Sequence, residues 1–382
     1  MGCVRILFNT IFSVLSASLI LGGCFSPAFD EGVALASLSK PDLTFLHSVS
    51  TSRLTVPENH MHYFPNPSNV GGGFLLVEIE EFPKLYFLQN SSLKGPIEGE
   101  GTISTLQGLE FANGMVFADD PTVPKLILYF PSNSDPSTSE TDILLFSYDS
   151  TADTLQGPIT NQKFLSDMAV PLYFNGIDPT ITAGDLHLLG LQLRASSTGS
   201  EVYMDAFILH TPSNRYYELS FRMDGSGSVV FDSNLVADRG ISADYLEFSG
   251  TVPFLDSTVG RYSYSPVTKT SYFQLYQDGV YRTYSWDSEG EPRELDLTGR
   301  ISSVLSSGDL VCVREGYGRV YQPGGETEFS FGLGTLSLIY ELYPDGIPTL
   351  FFVESIDQRE EGGHLFYETY TLPTADLSKM EN

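Results

Sequence analysis

Two histidines two residues apart, His60 and His62, form the most metal-like pair in the chain. In an extended strand, residues i and i+2 point the same way, so both imidazoles can meet one ion, with Glu58 as a third ligand. The same stretch, followed by Pro65 and Pro67, also reads as a solvated loop. Carboxylates offer more material. Asp119 and Asp120 follow the apolar run Met115–Phe117, and Asp309 and Glu315 flank the run Leu310–Arg314. One carboxyl raised in pKa can donate a proton while another stays ionised, which is what glycoside hydrolysis requires. With 48 acids in the chain, however, most must solvate the surface or cap turns. Tyr284 and Trp286 lie near a hairpin end, where their rings can stack on a sugar or anchor a protein partner. Packing between neighbouring sheets is the other use of such rings.

Established catalytic patterns are missing. The chain has no His-Glu-x-x-His, no Gly-x-Ser-x-Gly elbow and no Gly-x-x-x-x-Gly-Lys phosphate cradle. Ser37-Leu38-Ser39-Lys40 has Ser-x-x-Lys spacing, but no Lys-Thr-Gly comes after it. The acid-rich stretches Asp135–Asp142 and Asp287–Glu294 lack the glycine-anchored spacing of a calcium loop. No metal or cofactor is expected, and the reading leans away from an enzyme.

The N-terminus carries an address. Arg5 is the only charge before Asp30, and Ile6–Leu21 is largely apolar, interrupted by Asn9, Thr10, Ser13, Ser16 and Ser18. A positive tip, an apolar stretch and small residues succeed one another in the order of a secretory signal. The opening Met1-Gly2-Cys3 lacks the Ser or Thr that myristoylation wants at the sixth position, where Ile6 stands. Leu21-Gly22-Gly23-Cys24 resembles the lipobox of bacterial lipoproteins. That resemblance implies cleavage before Cys24, acylation of its thiol and attachment to a membrane through the acyl chains. Phe25 rather than aspartate after the cysteine implies outer-membrane sorting in a cell with two membranes. Each buried methylene contributes roughly 0.8 kcal/mol, and more than one chain is needed for stable anchoring. Of three cysteines only Cys312 then keeps a free thiol, so no disulfide forms within the mature chain. Its neighbours Leu310, Val311 and Val313 mark it as a small buried hydrophobe.

Charge narrows the partners. Against 48 acids stand 20 basic residues, a formal net charge of −28. Such a chain repels phosphate backbones, so nucleic-acid binding is excluded. Hydrophobic residues at 41% and aromatics at 13% provide a core and argue against disorder.

The rest of the sequence reads as all-β. Residues 1–23 form the signal, 24–41 a lipidated tether, 42–376 one folded domain and 377–382 a tail. Beyond the tether no amphipathic helix is predicted. Leu75, Val77 and Ile79 share one face with Glu78 opposite, Leu189, Leu191 and Leu193 alternate with Gly190, Gln192 and Arg194, and Phe273 and Leu275 alternate with Tyr272, Gln274 and Tyr276. Leu126–Phe130 and Ile143–Phe146 are apolar on both faces, as central strands are. Asp-Gly pairs at 224, 278 and 345 signal hairpins. Leu93-Lys94-Gly95-Pro96-Ile97 returns as Leu155-Gln156-Gly157-Pro158-Ile159, and Ile103, Ile181, Ile241 and Ile301 open similar segments. Each interval can hold four short strands, the content of one propeller blade. The pattern resembles a β-propeller of about six blades, the last completed by a strand within Leu43–Val49. The alternative is a two-sheet β-sandwich, possibly split into two domains. Neither the WD-repeat grammar nor the Asp-box pattern of sialidases recurs.

The function expected from address and scaffold is a non-enzymatic, lipid-anchored interaction module of the cell envelope, holding a protein partner. The alternative is a glycan-binding or glycan-cleaving surface protein that uses carboxylates and aromatics in a propeller cleft.

Overall fold

The computed structural model describes residues 44–50, 61–65, 72–79, 82–89, 92–94, 113–117, 123–131, 140–149, 152, 154–196, 198–213, 215–232, 237–239, 262–277, 280–287, 292–297, 299–314, 317–323, 327–332, 336–342, 347–357 and 365–376. The expected signal, Cys24, the expected tether and the expected tail lie outside them.

Among the described residues the strands form six sheets, and every hydrogen-bonded pair of strands in them is antiparallel. Sheet I holds β2 (Met61–Pro65), β3 (Gly72–Ile79), β4 (Phe82–Gln89) and β5 (Ser92–Lys94). Sheet II holds β6 (Asn113–Phe117), β7 (Lys125–Pro131), β8 (Thr141–Asp149) and β9 (Thr154–Lys163). In sheet III, β10 (Leu186–Ala195), β11 (Val202–His210) and β12 (Arg215–Met223) are followed by β13 (Val229–Phe231) and β14 (Ala237–Arg239), both paired with β12. Sheet IV holds β15 (Tyr262–Ser265), β16 (Thr270–Gln277), β17 (Val280–Trp286) and β18 (Arg293–Leu295). Sheet V holds β19 (Arg300–Val304), β20 (Leu310–Arg314), β21 (Tyr317–Tyr321) and β22 (Thr327–Gly332). Sheet VI runs β23 (Leu336–Leu342), β24 (Thr349–Asp357), β25 (Leu365–Pro373) and then β1 (Thr44–Ser50), so the N-terminal strand completes the last sheet.

The first strands of the sheets, β2, β6, β10, β15, β19 and β23, neighbour one another in chain order. The cores lie between adjacent sheets rather than inside one sandwich. Leu126, Leu128 and Phe130 of β7 pack toward sheet I, whereas Ile127 and Tyr129 pack toward sheet III. β8 divides the same way, Leu144 and Phe146 against Ile143 and Leu145. Period-two alternation therefore gives each face of a fully apolar strand its own partner. Burying each such side chain contributes roughly 1.5–3 kcal/mol. The architecture is an all-β propeller, and the two-sheet sandwich is not formed.

Leu93 and Leu155 lie on the outer strands of successive sheets, opposite Leu88 and Tyr148, so that repeat marks equivalent places. The isoleucine series does not. Ile301 lies in β19 and Ile181 precedes β10, while Ile103 and Ile241 fall outside the described residues. First strands begin at Met61, Asn113, Leu186, Tyr262, Arg300 and Leu336, at unequal intervals that a fixed period cannot follow.

The connection between sheets II and III opens with an eleven-residue helical segment, Phe164–Phe174, which was not expected from the sequence and is followed by the short turns Asn175–Ile177 and Ala183–Asp185. The segment winds with the wide i→i+5 turn, and its buried residues Phe164, Ala169 and Phe174 follow that five-residue spacing, with Leu165 and Met168 buried beside them. A search at 3.6-residue period misses it, and Pro171 within it reads as a breaker. Buried Glu140 caps its start, accepting the Leu165 N–H at 2.7 Å and the Ser166 N–H at 3.1 Å.

Candidate functional site

Five of the six first strands meet around a cavity of about 120 Å³. β6 contributes Gly114 and Met115, β10 contributes Leu191–Arg194, and β15 contributes Tyr262 and Ser263. β19 and its turn contribute Ser302–Ser306, and β23 contributes Glu341. Most of these lie toward the C-terminal ends of their strands.

Backbone bulges set which side chains reach the axis. β10 is bulged between Leu188 and Gly190, β19 between Ile301 and Ser303, and β23 between Leu336 and Leu338. A bulge adds a residue to one strand and re-aims the side chains beyond it. In β10 it breaks the expected face: Leu189 packs with sheet IV, while Leu191 and Leu193 pack toward sheet II. Gln192 is turned the other way, where its Oε1 accepts the Tyr264 N–H at 2.8 Å. At Gly190 an added Cβ would collide with Cβ of Tyr262, so the two first strands approach closely there.

The charged groups of the wall already have partners. Arg194 donates from Nε to Asp205 Oδ2 at 2.9 Å and from Nη2 to Oδ1 at 3.2 Å, a forked pair on a carboxylate only 2% exposed. Ser220 also donates its hydroxyl to Asp205, and the guanidinium lies 4.3 Å above the Tyr203 ring centroid. Glu341 accepts the Ser306 N–H at 2.6 Å, the Ser306 hydroxyl at 3.0 Å and the Thr374 hydroxyl at 2.7 Å. Tyr262 is buried and its hydroxyl faces Glu218 Oε1 and Ser271 Oγ, each at 3.5 Å. Burial, then the Glu218 charge, pushes its pKa well above the usual phenol value.

The wall is therefore half apolar and half polar, with one carboxylate among its described residues. The cavity is smaller than the roughly 300–1,000 Å³ of pockets for drug-sized ligands. Among the described residues no two carboxylates face one another across it.

The residues singled out in the sequence fall elsewhere. Asp309 is half-buried in the turn between β19 and β20, where its carboxylate accepts the Ser307 hydroxyl at 2.7 Å and its carbonyl accepts the Leu305 N–H at 2.8 Å. It organises that turn and does not line the cavity. Asp119, Asp120, Glu315 and His60 lie outside the described residues, and His62 lies on β2 opposite Leu76. Among the described residues no group of three or more His, Cys, Asp or Glu could hold a metal ion. Trp286 is no ligand platform. It is 1% exposed and meets Phe207 edge-on at 5.9 Å and Tyr216 at 5.9 Å, between sheets III and IV. Tyr284 is half-buried and stacks on Phe273 at 5.5 Å. Cross-sheet packing uses these rings because neighbouring sheets each need apolar surface. Gln192, Ser263, Ser303 and Glu341 escaped the sequence reading, since single polar residues on short strands carry no motif.

No family model and no curated protein matches the chain. Among solved structures, the chain is similar to the GH93 alpha-L-arabinofuranosidase of Fusarium graminearum, with TM-score 0.41, 9% identity and coverage of 88% of this chain and 99% of that one. It is similar to the gluconolactonase XC5397 of Xanthomonas campestris, with TM-score 0.37, 12% identity and coverage of 87% and 96%. The WD40 domain of SCAP from fission yeast aligns at TM-score 0.32 and 8% identity, covering 77% of this chain and 67% of that one. None of these activities transfers to this chain at such distances.

Proposed function

We propose that the chain is a lipid-anchored lipoprotein of the cell envelope whose six-bladed propeller acts as a protein-interaction module. Residues 1–23 serve as its signal, Cys24 carries the acyl chains, and residues 24–41 let the domain stand off the membrane. In a cell with two membranes the outer membrane is its address. The observation that carries the binding reading is the axis, where Arg194 and Glu341 are engaged within the protein. Each of the six sheets is taken as one blade, the last joined by β1, which favours a rigid scaffold presenting loops at two ends. A glycan-cleaving reading needs two carboxyls flanking one bond, and the described wall offers only Glu341.

The test is crosslinking and affinity capture of tagged full-length protein from intact cells, beside Cys24→Ser. One or a few stoichiometric envelope proteins, with acyl labelling and membrane retention lost in Cys24→Ser, support the reading. A clean bait sinks the interaction module, and unchanged membrane fractionation of Cys24→Ser sinks the anchor.

A further inference from the structure

Sheet VI fixes the end at which the chain enters the propeller. Across it Tyr340 of β23 pairs with Phe351, Phe351 with Thr371, and Thr371 with Thr44, the first residue of β1. Thr44 is thus level with the C-terminal part of β23, one residue from the row of cavity-lining Glu341. Because β1 is antiparallel to β25, the chain enters at the end where the first strands finish. The two most exposed large apolar side chains among the described residues lie at that same end. Val267, 61% exposed, is in the β15–β16 connection, and Ile347, 58% exposed, is in the β23–β24 connection. The β19–β20 turn ties the two loops together. A Cβ on its Gly308 would collide with Thr268, and its Ser306 N–H is held by Glu341.

We propose that this end of the propeller rests on the membrane, with Val267 and Ile347 entering the lipid interface. The inference depends on the Cys24 anchor proposed above, because exposure alone does not choose an end. Leu172 and Ile177, 39% and 51% exposed, lie in the connection from β9 to β10 at the opposite end. The anchor chooses: Cys24 precedes Thr44 by 20 residues. A coil of that length spans roughly 25 Å, against a radius of gyration of about 20 Å for a domain this size. Acyl chains held at that distance bring the entry end to the lipid, and turning the other end to it would draw the tether out along the domain. Tethering also raises the effective concentration of the loops at the surface, so two shallow apolar side chains suffice to dock them. Exposed Lys269, on the same loop as Val267, can lay its methylenes along the interface and set its ammonium among headgroup phosphates. The net charge of −28 repels anionic headgroups, so the lipid surface is a zwitterionic one. The opposite end stays free for the protein partner.

The experiment reconstitutes the protein, expressed from the full chain and purified from membranes, into phosphatidylcholine vesicles whose acyl chains carry doxyl quenchers. A thiol-linked fluorophore on Ser307→Cys, exposed in the β19–β20 turn between the two loops, reports the entry end. A second on Ser213→Cys, exposed in the β11–β12 connection, reports the opposite end. Cys312, 1% exposed, takes no label. Quenching at the Ser307 site with full emission at the Ser213 site is expected. Val267→Ser combined with Ile347→Ser should restore emission at the Ser307 site, because the tether alone holds that end near lipid but not in it. Far-UV circular dichroism checks that every variant is folded. Quenching at the Ser213 site, quenching at neither site, or quenching at the Ser307 site that the double substitution leaves unchanged overturns the docking. Mass spectrometry of Cys24 in the same preparation reads the anchor separately. Acylated protein that fails these tests overturns the docking alone, whereas an unacylated Cys24 overturns the anchor and the docking with it.

Discussion

The carboxylate of Glu341 accepts the backbone N–H of Ser306 at 2.6 Å and so fastens the turn after β19 to the first strand of the next sheet. Each of the other interfaces from sheet II onward carries a comparable tie. Tyr129 donates to the Leu191 carbonyl at 2.9 Å, the Tyr264 N–H donates to Gln192, and Gln274 donates to the Gly299 carbonyl while accepting from Ile301. Apolar sheet faces slide without a register, whereas one directional bond near the axis fixes it. Glu341→Ala removes the acceptor for three donors and should lower unfolding stability by about 2 kcal/mol. Urea denaturation checks this as a lower midpoint at constant slope, and an unchanged midpoint would make the tie incidental.

Arg194 and Asp205 differ in what their loss leaves behind. Asp205 is 2% exposed while Arg194 is 20% exposed. Arg194→Met strands a buried carboxylate and should cost about 3 kcal/mol or more. Arg194→Met with Asp205→Asn should recover much of that loss, because no charge is then left unpaired. Denaturant midpoints of the two single variants and the double variant decide it; additive losses sink the argument.

Gly190 is fixed by contact rather than by backbone angle. Its position against Cβ of Tyr262 leaves no room for a methyl group, and the atom it meets belongs to the neighbouring first strand. Gly190→Ala should destabilise by about 1–3 kcal/mol, the usual cost of overpacking. Gly176→Ala, where a Cβ meets nothing within 4 Å, is the control. Thermal unfolding distinguishes them, and equal melting temperatures refute the close approach.

Much of this architecture could be read from side-chain pattern. Leu126–Phe130 announced a strand buried on both faces because each of its residues is apolar, and both neighbouring sheets take their share. The hairpin expected at Asp278-Gly279 was legible because turn chemistry is local, and the flanking Gln277 and Val280 pair. At Asp224 the chain turns as expected, but the positive φ of 83° falls on Gly227, not Gly225, because a longer loop closes on the Asp224 carboxylate. The bulge after Leu188 was not legible, since nothing in Leu188-Leu189-Gly190 states which strand residue is left unpaired. The cavity wall depends on that bulge, which is why Gln192 looked like an ordinary solvent-facing position.

Strong acid should loosen the β12–β13 turn. The Ser226 hydroxyl, ahead of the N–H groups of Ser228, Ser226 and Gly227, holds the Asp224 carboxyl below its ordinary 3.8. Because the folded pKa is the lower one, the unfolded chain binds the proton more readily. The stabilisation is complete above about 3.8 and fades as pH falls through the folded value. Asp224→Asn should therefore flatten the acid limb of a denaturation-midpoint curve measured from pH 6 to 2 (roughly the span over which such carboxyls titrate). A limb as steep as the parent's would place the acid sensitivity elsewhere.

Thiol counting tests the burial of Cys312 and the processing of the N-terminus together. Cys312 is 1% exposed, and burial pushes its pKa up to about 12, far from the range in which a thiolate forms near neutral pH. It should resist maleimide in the native protein and react only in guanidinium. Of three cysteines in the chain, the proposed cleavage would remove Cys3 and the proposed acylation would block Cys24, so membrane-extracted protein should then show one reactive thiol when denatured. The same burial makes the folded state prefer the neutral thiol, so its contribution is intact below the ordinary value of 9 and is lost as pH rises toward 12. Mass spectrometry after maleimide treatment reads every case. Native labelling at Cys312 sinks the buried-thiol account, and three labelled thiols in guanidinium sink the lipoprotein reading while leaving the propeller untouched.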